Sequence, residues 1–591
     1  MKYAKIVLLA SSLLSGLALS SFALAADPKG EPKLTNMPKL GLVSGKVGGS
    51  FTLGIPAAPG SFNYYGITDN NAYTVVGNVF EGLVEYNLET YKMEPNLAKS
   101  WTVTDGGKVW TFQLRPGVKW HDGTPFTSAD VVFTFENIIL NPEAKGNSAG
   151  AFPKGVKFEA VDADTVRMTL PTTAGAILQQ LRVFMMPKHK LLKFSVEGGA
   201  KPADINGAWG TASDLKEIVG TGPFKLSSYV ADQKVTLTKN ENYWKKDSFG
   251  NKLPYLDKLE YLIVKSDDQK IAQFKSGTLD AINITGAQFP ELKQAEVGGA
   301  NFKVLRALAL FGSPSHLAFN FDAKDPDLAR LFSNDKFRAA VQPAVNRKRI
   351  IEDVFNGLAT LPGTPVAPVS SFYFDTTKYL GDYNLASANA GLDALGLKDT
   401  DGDGVRNFAG GKNIEFSLMT PTDNAFFSGV PIGTIIQNDL KAIGLKANLQ
   451  PLQNSLVFSK ANAGDFEATI YGFGNQPDPD LRKPIWQPGG DLYYWHSKTR
   501  ASTPGGPANF AVMKSWEKRI YAIFDAASKS TDQGQRGALY DEWQTLNAKY
   551  LPVIMIAKAA NIAAVSNKIG NFVYNLGPIP GYVTNQIIFN K

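Results

Sequence analysis

From Trp110 to Arg115 apolar and polar residues alternate (Trp-Thr-Phe-Gln-Leu-Arg), the period of a half-buried strand, and Pro116-Gly117 supplies the turn that ends it. Residues 157–170 repeat the pattern around a polar Asp162-Ala163-Asp164 tip, which predicts a hairpin. Between these strands Thr127-Ser128-Ala129-Asp130 has the form of a capping box. Val131, Val132, Phe135, Ile138 and Ile139 follow it at helical spacing until Asn141-Pro142 stops the helix. Phe224 to Lys239 reads as two strands about a polar turn, and Leu259 to Val264 as another. Asp267 to Gly277 reads as a helix carrying Ile271 and Phe274 and closed by a glycine cap.

The middle of the chain is helical. Asp335 to Val345 and Arg347 to Phe355 are amphipathic, separated at Pro343 to Asn346, with Asn356-Gly357 as a stop. Near residue 431 the pattern changes: Ile432, Ile435, Ile436, Leu440 and Ile443 share one helical face, Gly444 caps it, and Leu445 to Leu449 alternates as a strand. With strand-like 414–419 and 466–473 on either side, this alternation predicts an α/β lobe. A last helix is expected over Gln535 to Tyr550, followed by strand-like Val553 to Ile556 and Ile562 to Val565. No internal repeat of the solenoid kind occurs.

Ahead of these elements Lys2 and Lys5 precede an apolar run from Ile6 to Phe22 and the small-residue site Ala23-Leu24-Ala25. Residues 1–25 are therefore expected to be an export signal, cleaved before Ala26. Residues 26–47, with Pro28, Gly30, Pro32, Pro38 and several lysines, are expected to be a flexible leader. Further on, no run approaches the ~20 apolar residues of a spanning helix. The absence of cysteine excludes a disulfide framework, a thiolate nucleophile and a lipid-anchor cysteine. The 591 residues are too many for one core, since single cores stop growing near roughly 250–300 residues, so two or more lobes are expected. A net charge of +7 is small for this length, and the basic residues are scattered without a zinc-finger, RNP or helix-turn-helix pattern, so nucleic acid is not an expected partner.

Enzymatic patterns are missing. His121, His189, His316 and His496 lie far apart, H-E-x-x-H and G-x-S-x-G do not occur, and Gly41 to Lys46 lacks phosphate-loop spacing. Gly220-Thr221-Gly222 is followed by Pro223 where a dinucleotide-binding helix would begin. Spacing alone leaves open a triad assembled from distant residues. Asp399, Asp401, Asp403 and Gly404 match the first, third, fifth and sixth places of a calcium loop, but the twelfth place is Gly410 and not Glu. An Asp/Gly turn is the favoured reading and calcium the weaker one.

The run from Trp110 through Arg115-Pro116-Gly117-Val118-Lys119-Trp120-His121-Asp122-Gly123-Thr124-Pro125-Phe126 to Val131, preceded by Leu97-Ala98-Lys99-Ser100-Trp101, resembles the signature of bacterial extracellular solute-binding proteins of the oligopeptide/dipeptide family (family 5). Further matches follow in family order: Val219 to Phe224, Asn242-Tyr243-Trp244, Leu253-Pro254-Tyr255-Leu256-Asp257, Phe319-Asn320-Phe321, Phe337 to Val341 and Gln476-Pro477-Asp478-Pro479-Asp480. The resemblance implies an α/β, two-lobed periplasmic-binding-protein clamshell, class II-like, with an extra subdomain in the N-terminal lobe. Its parts are expected at 48–80, 217–308 and 552–591 (first lobe), 81–216 (extra subdomain) and 309–551 (second lobe). It also implies a monomer without a cofactor, located in the periplasm, that captures peptides between the lobes and delivers them to an ABC permease. A binder of oligosaccharides is the alternative cargo reading, with a periplasmic hydrolase or a sensor further removed.

In peptide binders of this family an Asp shortly before the Pro-rich turn pairs with the peptide α-ammonium, as a charge-assisted bond demands. That place is taken here by Asn475, which carries no countercharge, so amine anchoring would need Asp478, Asp480 or another acid. The resemblance places Tyr64, Tyr65, Phe427, Phe473, Asn475, Gln476, Asp478, Tyr494 and Trp495 near the cleft as the candidate ligand shell, the aromatics as faces for sugar rings or apolar side chains, with core packing the alternative for each.

Overall fold

The computed structural model describes residues 40–66, 69–88, 90–145, 151–307, 312–368, 370–422, 428–503, 506–574 and 581–591, apart from the side chain of Tyr582. The export signal, most of the leader and Phe427 lie outside the described residues.

A seven-stranded sheet forms the first lobe. Its order is Phe302–Ala307, Asn561–Ser566, Ala281–Ile284, Ser50–Ile55, Lys258–Ile263, Lys234–Lys239 and Phe224–Val230. Ser50–Ile55 runs parallel to both of its neighbours, and the remaining pairings are antiparallel. A four-stranded antiparallel sheet (Ala98–Thr104, Val109–Leu114, Thr165–Thr169, Lys157–Asp162) makes the extra subdomain. Val109–Leu114 buries every second residue, as its alternation requires. The helix beside it, Ser128–Thr134, is opened by the Thr127/Asp130 capping box and continues as a π-turn over Phe135–Ile139.

The second lobe is built on a five-stranded sheet, Lys446–Leu452, Glu415–Pro421, Ala468–Gly472, Ser315–Phe319 and Ile554–Met555. Glu415–Pro421 lies parallel to its two neighbours, and Gly429–Lys441 buries Ile432, Ile435, Ile436 and Leu440 against the sheet. Because Ile554–Met555 pairs with Ser315–Phe319 and Ser315 N donates to Ala557 O, the chain stays with this lobe through Ala557. The last crossing is therefore a few residues later than the expected 551/552 boundary. The leader differs too: Leu42 is buried against Tyr243, Leu253, Tyr255 and Phe589, and Val43 N donates to Asn571 Oδ1, so its end is docked on the first lobe. The chain thus passes between lobes after Phe302–Ala307 and again after Lys558–Ala559.

Candidate functional site

Ser315–Phe319 is buried at all five positions, held between Ala468–Gly472 and Ile554–Met555. At its start the pairing is prolonged by a loop contact: Asn475 N donates to Gly312 O (3.0 Å) and Gly312 N donates to Asn475 Oδ1 (3.1 Å). That second bond fixes the amide, because a backbone N–H must face the oxygen. Nδ2 is left as a donor without a partner among the described residues, and Oδ1 keeps a second lone pair. Next to it Gln476 is half-buried, and its Oε1 has no partner among the described residues. Phe473, also half-buried, packs against Tyr471 and Tyr494 with ring centroids 5.3 and 5.9 Å away.

Asp478 is fully buried and committed. Its oxygens accept from Arg536 Nη1 and Nη2 at 2.7 Å each, Oδ1 also caps the turn Pro479–Arg482, and Arg536 reaches Asp480 at 3.1 Å. The two carboxylates hold the Arg536 guanidinium well above its ordinary pKa, while burial and the neighbouring Asp478 push Asp480 up to about 6. Asp478 is therefore not free to replace the missing countercharge at position 475, and Asp480 shares the same guanidinium through Oδ2.

The aromatic loop is core. Tyr494 and Trp495 are 2% and 0% exposed. The Tyr494 hydroxyl lies 2.8 Å from His316 Nε2, Trp495 packs on Trp486 and Tyr493, and the Tyr493 hydroxyl donates to buried Glu517 at 2.9 Å. Trp495 is packed into the core, while Tyr494 lines a small recess with Tyr471, Phe473 and Leu492. The short loop composition at 488–492 conceals this, since Gly489-Gly490 suggests exposure while the aromatics that follow fold inward.

In the first lobe Tyr65 is likewise buried and donates to Phe184 O at 2.8 Å. Tyr64 is half-buried among Tyr65, Tyr73 and Phe184, and burial pushes its hydroxyl up to about 12. Tyr73 belongs to Asn70–Val76, a helix N-capped by Asp69. Asn70, Asn71 and Thr74 of that helix line a recess of about 390 Å³ with Ile55, Tyr261 and Tyr574. The recess sits at the carboxyl ends of the parallel strands, where open α/β sheets place ligands.

The lobes also meet on the subdomain side. Gly175 N donates to Ser528 O (2.7 Å), Thr173 Oγ1 donates to Lys529 O, and Gln179 Nε2 reaches Asp478 Oδ2 at 3.5 Å. Beside this seam residues 172–177 and 480–491 enclose a cavity of about 630 Å³.

At the aspartate-rich turn, Asp399, Asp401 and Asp403 each bring one oxygen within 4.8 Å of the others, all exposed. Asp399 accepts from Gly402 N and Gly404 N, and Asp403 from Val405 N and Asn413 Nδ2, so the turn itself occupies these carboxylates. The backbone donors hold Asp399 below the usual carboxylate range.

Two cations beside the Asn475 turn are absent from the candidate shell. Lys558 is 3% exposed, its Nζ has no partner among the described residues, and burial alone pulls it down to about 8. Its only sequence signal is being the single charge in the apolar run from Val553 to Val565. Arg482 has a buried, unpartnered Nε, and desolvation likewise lowers its pKa.

Two α/β lobes joined by two chain crossings and facing each other across a seam define a clamshell solute binder. The chain belongs to the bacterial extracellular solute-binding proteins, family 5: the model of that family's middle region matches residues 92–490. It is similar to the oligopeptide-binding protein AppA of Bacillus subtilis, 28% identical over 440 residues that cover 73% of this chain and 75% of AppA. The periplasmic alpha-galactoside-binding protein of Rhizobium meliloti is 27% identical over 515 residues, covering 82% and 72% of the two chains. In shape the chain is similar to MelB of Agrobacterium fabrum C58, solved with stachyose, with a TM-score of 0.74, 22% identity and coverage of 95% and 88%.

Proposed function

We propose that this chain is a periplasmic carrier that closes its lobes on a peptide and hands it, unaltered, to an ABC importer. Family membership supports the carrier role, and the seam at Gly175, Thr173 and Gln179 is the observation that supports closure. Ligand favours the closed form by touching both lobes at once, since equal affinity for the open and closed states would shift nothing. Around the Asn475 turn one free donor (Nδ2) and one free acceptor (Gln476 Oε1) match the N–H and C=O that every peptide carries. No bond is made or broken in the cargo, and none of the described helices is long and apolar enough to cross a membrane.

Native mass spectrometry of the chain as purified tests this reading: a ladder of masses spaced by amino-acid residues is expected on the folded protein. Hexose spacing would favour the second reading, an oligosaccharide cargo, which rests on the alpha-galactoside and stachyose relatives. The burial of Trp495 removes one stacking face that reading would use. Export with cleavage before Ala26 predicts an intact mass that begins at that residue.

A further inference from the structure

Where peptide binders of this family carry an acid, this chain has Asn475 between two uncompensated cations. Lys558 Cε lies 3.5 Å from where a Cβ on Gly312 would sit, and Gly312 is the residue hydrogen-bonded to Asn475. Arg482 Nη2 lies 3.4 Å from the corresponding point on Gly474, with Ser313 Oγ at 3.7 Å. Both cations therefore border the same short pairing of 312–313 with 474–475. Their partners are missing: Lys558 Nζ and Arg482 Nε are buried without hydrogen bonds, and no described carboxylate forms an ion pair with either residue. A third cation, Arg347, donates to Met555 O (2.8 Å), on the strand that leads to Lys558, and its Nη2 is buried without a partner among the described residues. The nearest acids along the chain, Asp478 and Asp480, are held by Arg536.

Burying an uncompensated charge is costly, and a fold tolerates it where a countercharge arrives from outside. The free group of Asn475 points the same way. Its oxygen already accepts from Gly312 N, and its uncommitted Nδ2 group is a donor, which suits an anion.

We infer that the 312–313/474–475 turn is a subsite for a carboxylate of the solute, held by Lys558, Arg482 and the Asn475 amide. The inference rests on the solute-binder reading above and reverses the polarity expected of a peptide's end at this turn. A peptide would enter with its C-terminus, or an acidic side chain, at Asn475.

Four pools of tetrapeptides assembled from uncharged residues, with free, N-acetylated, C-amidated or doubly blocked ends, test this by calorimetry. Free and N-acetylated pools are expected to bind alike, and pools lacking the carboxylate about tenfold or more weaker. In Lys558→Met that discrimination is expected to disappear. Equal binding of C-amidated and free pools, or discrimination that survives Lys558→Met, overturns the subsite. A second readout needs no peptide: replacing chloride by acetate at constant ionic strength is expected to raise the melting temperature of the ligand-free chain, but not of Lys558→Met. If no pool binds while acetate acts only on the chain with Lys558, the peptide reading falls and the subsite stands. If acetate shifts both chains equally or neither, the subsite falls, whatever the cargo. Arg482→Gln, a more exposed position, guards against loss of folding in Lys558→Met and is expected to weaken carboxylate binding in the same direction.

Discussion

Buried charge divides into groups the fold has satisfied and groups it has not. Arg338, with no exposure, donates to Leu551 O, Phe332 O and Tyr550 O and to Asp335, so nothing external is required. Arg536 is satisfied by Asp478 and Asp480, and removing it alone strands two buried carboxylates. Arg536→Met is expected to cost about 3–5 kcal/mol. Denaturant unfolding measures this, and a loss below about 1 kcal/mol would mean that the pair does not hold the turn. Glu81 gives a pH signature. It is fully buried, accepts from Tyr243 Oη and Trp244 Nε1 at 3.0 Å, and burial raises it from 4.5 to about 7 despite nearby Lys245. The folded chain therefore keeps a proton that the unfolded chain releases above pH 4.5. The stability tied to that proton is present at low pH and is lost as pH rises toward 7, by up to about 1.4 kcal/mol per pH unit. Glu94 titrates in the same range for the same reason. Glu81→Gln should flatten its own share of that decline in melting temperature, and an unchanged slope would show that Glu81 is ionised throughout.

Among the elements, an alternating or purely apolar run was legible, and a strand with neither pattern was not. Val109–Leu114 and Gly429–Lys441 follow periods of 2 and 3.6 because solvent lines one side. Ser315–Phe319 has no polar face to alternate with, so nothing in Ser-His-Leu-Ala-Phe announces this inner strand of the second lobe. Ser515–Lys529, by contrast, carries Trp516, Ile520, Ile523, Phe524 and Ala527 at helical spacing and could have been read directly. At the site, the Asn475 turn was visible through its Pro-Asp-Pro context. The inward packing of Tyr494 and Trp495 depends on His316 and Trp486, which are remote in sequence. The seam element makes a prediction of its own. A Cβ on Gly175 would meet Ser530 O at 2.6 Å and Ala527 O at 2.8 Å, both backbone atoms of the opposite lobe. Gly175→Ala is expected to leave the melting of the ligand-free chain unchanged and to weaken peptide binding about tenfold or more, by opposing closure. Undiminished affinity would show that the seam is not part of the bound state.

At the scale of the whole molecule, two cores share three stretches of chain through two crossings. Ser50–Ile55 and Asn561–Ser566 lie in one sheet, and Ile554–Met555, just before the second crossing, in the other. Such crossings let lobes rotate as bodies while each sheet stays intact. The absence of cysteine makes that motion directly measurable, because two introduced thiols are the only labelling sites. Spin labels on Val161→Cys in the subdomain and Val512→Cys in the second lobe, both exposed, report the distance across the seam. On adding the free-ended tetrapeptide pool, the distance distribution is expected to collapse to a single shorter value, and the peptides should be recovered with their masses unchanged. A distribution that ignores saturating peptide, or peptides returned as fragments, would contradict capture between hinged lobes.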